Sequence, residues 1–207
     1  MEEQDLYSEI NSIRNLMERS TRFISLSGLS GVMAGIYALI GAGIAYKLIY
    51  VDEIKSDYMG YNDLTIQLFF IAFTVLLLSV GTGIWLTIRK AGRKGQSVWN
   101  QSSKLLLKNG AVPLLTGGCF VLLLLLQGYF GIIAPGCLIF YGLALFAASQ
   151  YTFGDVKWLG LCEIVLGLMA ALLPGYGLFF WALGFGVLHI LYGTVMHFKY
   201  DRENSAD

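Results

Sequence analysis

Two side chains in this sequence could carry acid–base chemistry in an apolar setting, Glu163 and His189. Glu163 is the one charged residue in the run GLCEIVLGLMAALLPGYG at 160–177, and His189 lies in the apolar run that follows. A carboxyl beside an imidazole can share or hand on a proton, because histidine changes charge nearest to neutral pH. A carboxylate inside a bilayer is costly unless it faces the bundle interior and finds a partner. If two antiparallel helices carry these residues, each lies seven residues from the same membrane boundary, about 10 Å deep at 1.5 Å per residue. The pair is therefore expected at one depth. It can serve as a ligand or proton site, or as a packing contact with a protonated Glu163. Tyr37, Tyr141 and Tyr192 also lie in apolar runs, and each hydroxyl needs a partner. Tyr192 joins Glu163 and His189 as the candidate site. The sequence does not say which tyrosine completes the cluster.

No other chemistry is written in the chain. There is no GxSxG, no HExxH and no GxxxxGK[ST]. Cys119, Cys137 and Cys162 are odd in number, without CxxC or Cys/His metal spacing, and read as reduced packing residues. No catalytic residue, no metal and no cofactor is expected. With 14 basic and 14 acidic residues the net charge is zero, which offers no basic surface for nucleic acid.

The elements that position the candidate pair follow from composition. The 207 residues are 56% hydrophobic and 14% charged, against about 25% charged in soluble proteins. Such a chain is an integral membrane protein, and its first partner is the lipid bilayer. The expected fold class is all-α: a polytopic bundle of six transmembrane helices arranged as hairpins, plus an N-terminal amphipathic helix. A span needs about 20 apolar residues. The spans are expected at 24–50, 64–88, 110–129, 131–148, 156–173 and 178–196, with 200–207 as a tail. Pro113, Pro135 and Pro174 are each expected near a helix end. QGYFG and LPGYG read as tight turns.

The segment RKAGRKGQSVWNQSSKLLLK holds Arg89, Lys90, Arg93, Lys94, Lys104 and Lys108, and basic loops stay in the cytoplasm. Six spans then place both termini inside. Of the 14 basic residues only Lys47 and Lys55 fall on the outer side. Lys47, near the end of the first span, can snorkel outward. The expected location is the inner membrane of a bacterium, multi-pass.

Residues 1–23 are amphipathic, with Leu6, Ile10, Ile13 and Met17 at helical spacing. That helix can lie on the membrane surface, or dock a cytoplasmic protein or a second copy. SVWNQSSKLLLKN suggests a further interfacial helix before the third span. The first span carries Ser27, Gly31, Gly35, Ala38, Ala42 and Ala45 on one face. Small faces let helices approach closely in lipid, here within the chain or across a homodimer. Pro135 and Pro174, Gly136 and Gly175, Phe140 and Phe179, and Phe146 and Phe185 align at one offset, which suggests repeated hairpins that both start at a Pro-Gly turn.

The stretch KWLGLCEIVLGLMAALLPGYGLFFWALGFGVLHILYGTVMHFK, residues 157–199, resembles a hairpin of the HdeD-like family through its leading Trp, IVLGLMAALLPG and a Gly-spaced following helix. Those are small six-span bacterial membrane proteins linked to acid resistance, so the resemblance implies a six-span fold and an acid-stress role. The amphipathic N-terminus and the long basic loop depart from that pattern, and no functional residue carries over.

Three functions remain open on these residues. The first is a non-enzymatic accessory or stress-related scaffold, dimeric through the first span. The second is a small transporter or proton-linked carrier using Glu163 and His189. The third is a sensor that docks a cytoplasmic partner through residues 2–20.

Overall fold

A computed structural model describes residues 27–51, 61–93, 95 and 97–201. The amphipathic segment 1–23, most of the acidic loop after the first span, Lys94 and residues 202–207 of the expected tail lie outside the described residues, whereas Tyr200 and Asp201 of that tail belong to the last helix. The described residues form helices joined by short turns, with no strand among them. We number six: α1 (Gly28–Tyr46), α2 (Tyr61–Arg93), α3 (Gln101–Leu126), α4 (Ile133–Ala148), α5 (Val156–Leu172) and α6 (Gly177–Asp201). Among the described residues five helical stretches are long and apolar enough to cross a membrane: Gly28–Val51, Asp63–Arg93, Gln101–Leu126, Phe130–Tyr151 and Gly177–Asp201. This helical architecture is compatible with a membrane protein, since a helix satisfies its own backbone hydrogen bonds and can therefore cross lipid.

Several boundaries differ from the sequence expectation: α2 runs on to Arg93 and α6 to Asp201, past the expected ends at 88 and 196. The third span and the interfacial helix expected before it are one continuous helix, and Pro113 lies inside it rather than near its end. The helix starts early because Asn100 caps it. Asn100 Oδ1 accepts from the Ser103 backbone N–H at 2.9 Å, and the Asn100 N–H donates to Ser103 Oγ at 3.0 Å. The Pro-Gly pairs are also unlike each other. Pro135-Gly136 sits in the first turn of α4, whereas Pro174-Gly175 forms the turn before α6, with Gly175 at φ +93°. QGYFG ends α3 as the sequence suggests. Tyr129 N–H donates to Leu124 O, Gly128 N–H donates to Leu125 O, and Gly128 takes φ +78°.

The helices pack as a row. α2 lies on α1, α1 on α6, α6 on α4 and α5, and α3 on α4. Glycine sets the closest approaches. A Cβ on Gly142 would meet Gly160 O of α5 at 2.5 Å, and one on Gly160 would meet Gly142 O at 2.7 Å. A Cβ on Gly193 would meet Val32 N at 2.5 Å and Gly28 O at 2.7 Å in α1. In lipid there is no water to expel between helices, so such van der Waals contact carries the association. The small face of α1 is therefore used within the chain. Ser27, Gly35, Ala38, Ala42 and Ala45 are buried and Gly31 is half-buried, and Gly28, Gly31 and Gly35 lie against α6. A homodimer through that face would have to displace α6.

Polar contacts tie the basic end of the bundle. Asp201 accepts from Lys90 Nζ at 2.5 Å and from the Gly28 backbone N–H at 3.1 Å, with His197 Nδ1 at 3.0 Å. One carboxylate thus joins α2, the start of α1 and the end of α6, and it sits where the α1 dipole favours a negative charge. Beside it, Asp155 in the turn before α5 accepts from Lys199 Nζ at 2.7 Å and from the Tyr200 hydroxyl at 2.8 Å. The Lys199 hydrogen bond is the main reason that the Asp155 carboxyl is held below the usual carboxylate range.

Replacing Gly193 by Leu should force α1 from α6 and destabilise the bundle by about 1–3 kcal/mol, as overpacking does. Gly118→Leu, where a side chain meets open space, should leave the detergent Tm unchanged. A depressed native pKa gives Asp155 a stabilising contribution that is present above its unfolded value of about 3.9 and lost as pH falls through the native value. Lys199→Met should therefore lower Tm modestly at pH 7, and the gap to the unmodified protein should narrow as the pH falls through and below the usual carboxylate range.

Candidate functional site

Glu163 is buried because of its register. Gly160, Glu163 and Gly167 recur at i, i+3 and i+7 and so share the face of α5 that packs on α4. The glycines draw the two backbones together, and the carboxyl between them reaches α6. There it lies against Gly184, where a Cβ would collide with Glu163 Oε2. Glycine at 184 is thus the space that the carboxyl occupies. His189 stands on the buried face of α6 with Gly186, Gly193 and Met196.

The expectation of equal depth holds. His189 Nδ1 and Glu163 Oε1 are 3.4 Å apart, and the Glu163 side chain is 0% exposed. The Nδ1–H has a shorter bond elsewhere, because it donates to the Gly184 carbonyl at 3.0 Å. That carbonyl is available where α6 widens to i→i+5 turns over Ala182–Leu188, a local departure often found at functional sites. With Nδ1 protonated, a neutral ring presents Nε2 as an acceptor. The Tyr141 hydroxyl donates to it at 2.7 Å. Tyr141 is therefore the tyrosine that completes the cluster. Tyr37 instead meets Thr82 Oγ1 at 3.3 Å, and Tyr192 turns to the backbone at Leu159. Tyr192 thus stands apart from the site to which the sequence assigned it. Tyr141 lies three residues past the buried Leu138 on α4, a burial that the sequence alone does not reveal.

Both Glu163 oxygens lack a hydrogen-bond partner among the described residues. A lone ionised carboxylate in such surroundings costs several kcal/mol. A neutral acid with an unpaired hydroxyl costs about 1–3 kcal/mol. Two arrangements fit the distances: a neutral acid beside a neutral imidazole, or a carboxylate beside an imidazolium. The chemistry open to the cluster is to hold a proton or share one between His189 and Glu163, with the Tyr141 hydroxyl fixing the ring.

The site is closed above and below. Leu138, Ala170 and Phe180 form an apolar cluster on one side, with Phe185 against it. Phe153, Val156 and Met196 form another on the opposite side. Phe185 also packs on the Tyr141 ring at 5.0 Å. Among the described residues no group of three His, Cys, Asp or Glu could hold a metal ion.

Tyr141→Phe should cost about 0.6 kcal/mol, the average for hydrogen bonds between membrane helices, and no more than about 1.7 kcal/mol. Tyr37→Phe should leave the His189 ring signal in NMR unmoved, while Tyr141→Phe should shift it. Comparison of the chain with protein-family models, with curated proteins and with solved structures gives no match, so the site stands on its own geometry.

Proposed function

We propose that the chain is a non-enzymatic, six-span membrane protein of the accessory or stress-related kind. Its buried acid–imidazole–phenol cluster locks α4, α5 and α6 into one unit. The carrying observation is the closure of Glu163, which is fully buried between two apolar clusters. A carrier needs a route from solvent to its ion site, and this conformation has none at Glu163. In this reading the cluster holds a neutral acid beside a neutral imidazole, with the Nδ1 proton donated to the Gly184 carbonyl at 3.0 Å and the Glu163 oxygen farther off at 3.4 Å.

The sixth span in this reading is α5. Its 17 residues rise about 25 Å, near the lower limit for crossing a core of about 30 Å. With α5 spanning, Arg89, Lys90, Arg93, Lys104, Lys157 and Lys199 fall on one side. The positive-inside rule makes that side the cytoplasm of an inner membrane, with both termini inside. One observation favours the proton-linked carrier as a second reading. The unpaired Glu163 oxygens beside a Tyr141–His189 hydrogen bond are an expensive arrangement for a contact that only packs.

Infrared difference spectroscopy across pH 5–8, assigned with Glu163→Gln, separates the two. The proposal expects a carboxylic acid band that persists throughout, and a Tm in Glu163→Gln at or above that of the unmodified protein. A band that titrates in this range and moves in His189→Gln would sink the scaffold reading and put the carrier in its place.

A further inference from the structure

The seam between α1 and α2 lies apart from the Glu163 cluster. The two helices touch where Gly41 admits Val75, and Tyr37 bonds Thr82 towards the basic end. Along one side of this contact runs an open groove of about 330 Å³. Its walls are Tyr37, Ile40 and Ile44 of α1 and Phe70, Thr74 and Leu78 of α2. Ile40, Ile44, Phe70 and Leu78 are exposed and so face lipid. That volume is at the lower end for a small-molecule site.

Length and charge say what fills it. Lys47 lies three residues beyond Ile44 on the same face of the helix, and it is exposed. From Tyr37 to Lys47 is ten residues, a rise of about 15 Å. That is half of a hydrocarbon core of about 30 Å, or one leaflet. The level of Lys47 is fixed independently. Tyr46 and Tyr50, which flank it in sequence, pack on each other with ring centroids 5.0 Å apart, and tyrosine belts mark the headgroup boundary. The groove wall from Tyr37 to Ile44 rises about 10 Å and Lys47 stands about 5 Å beyond it, so groove and lysine together span one leaflet, with an ammonium placed where the phosphate of an acyl lipid must lie.

We propose that this groove is a binding site for an anionic glycerophospholipid, one acyl chain lying between α1 and α2 and the phosphate paired with Lys47. It requires only that α1 and α2 cross the membrane, and it does not rest on the role of Glu163. A second copy of the chain is a poorer occupant, since a groove about 10 Å long would hold about a third of a crossing helix.

The test is native mass spectrometry of the full chain, purified in detergent and loaded with phosphatidylglycerol or phosphatidylcholine. The unmodified protein should retain phosphatidylglycerol about fivefold better, the worth of one Lys near an anionic headgroup. Lys47→Gln should abolish that preference and Lys199→Gln should keep it. Thr74→Trp, which fills the groove from an exposed position, should reduce retention of both lipids with Tm unchanged. Equal retention of the two lipids by the unmodified protein would overturn the proposal. So would a preference that survives Lys47→Gln, or a dimer that forms in place of lipid retention.

Discussion

Backbone proximity between helices is the constraint on which the rest of this structure depends. In lipid the apolar side chains gain nothing by leaving their solvent, so helices hold together by close contact and a few polar bonds. Gly142 against Gly160, and Gly193 against Gly28, bring backbone atoms to distances that exclude a Cβ. The polar cluster is a product of this. Because α4 and α5 are so close, the side chain between Gly160 and Gly167 cannot turn back to lipid. It must end against the third helix, where Gly184 yields the room.

The same closeness decides what the cluster can be. Three helices contribute one polar side chain each, and the imidazole is held at both nitrogens. Apolar clusters lie on either side along the bundle axis, so the acid neither reaches water nor finds a full set of partners. The strongest bonds of the site run through His189. Glu163 is its guest, held by shape more than by hydrogen bonding.

Much of this was legible in the sequence and some was not. The helical class follows from long apolar runs, and the shared depth of Glu163 and His189 follows from counting residues to the basic end. The choice of Tyr141 over Tyr192 did not follow, because it depends on how α4 rotates against α6, which periodicity alone leaves free. The early start of α3 was hidden by Pro113, which reads as a boundary although the helix continues through it. The small residues of α1 were visible, but their partner was not. Asp201 was invisible as a hub because its contacts come from Gly28 and Lys90, far away along the chain.

That hub bears on how the protein is made. The first N–H of α1 is capped by a side chain 173 residues downstream. At 5–20 residues per second, roughly 10–35 s separate the emergence of Gly28 from that of Asp201. Over that interval the leading turn of the first helix must find another acceptor or remain frayed at the membrane surface. Completion of the last helix is therefore what finishes the first, so a nascent chain truncated before residue 201 would carry an incompletely seated entry helix.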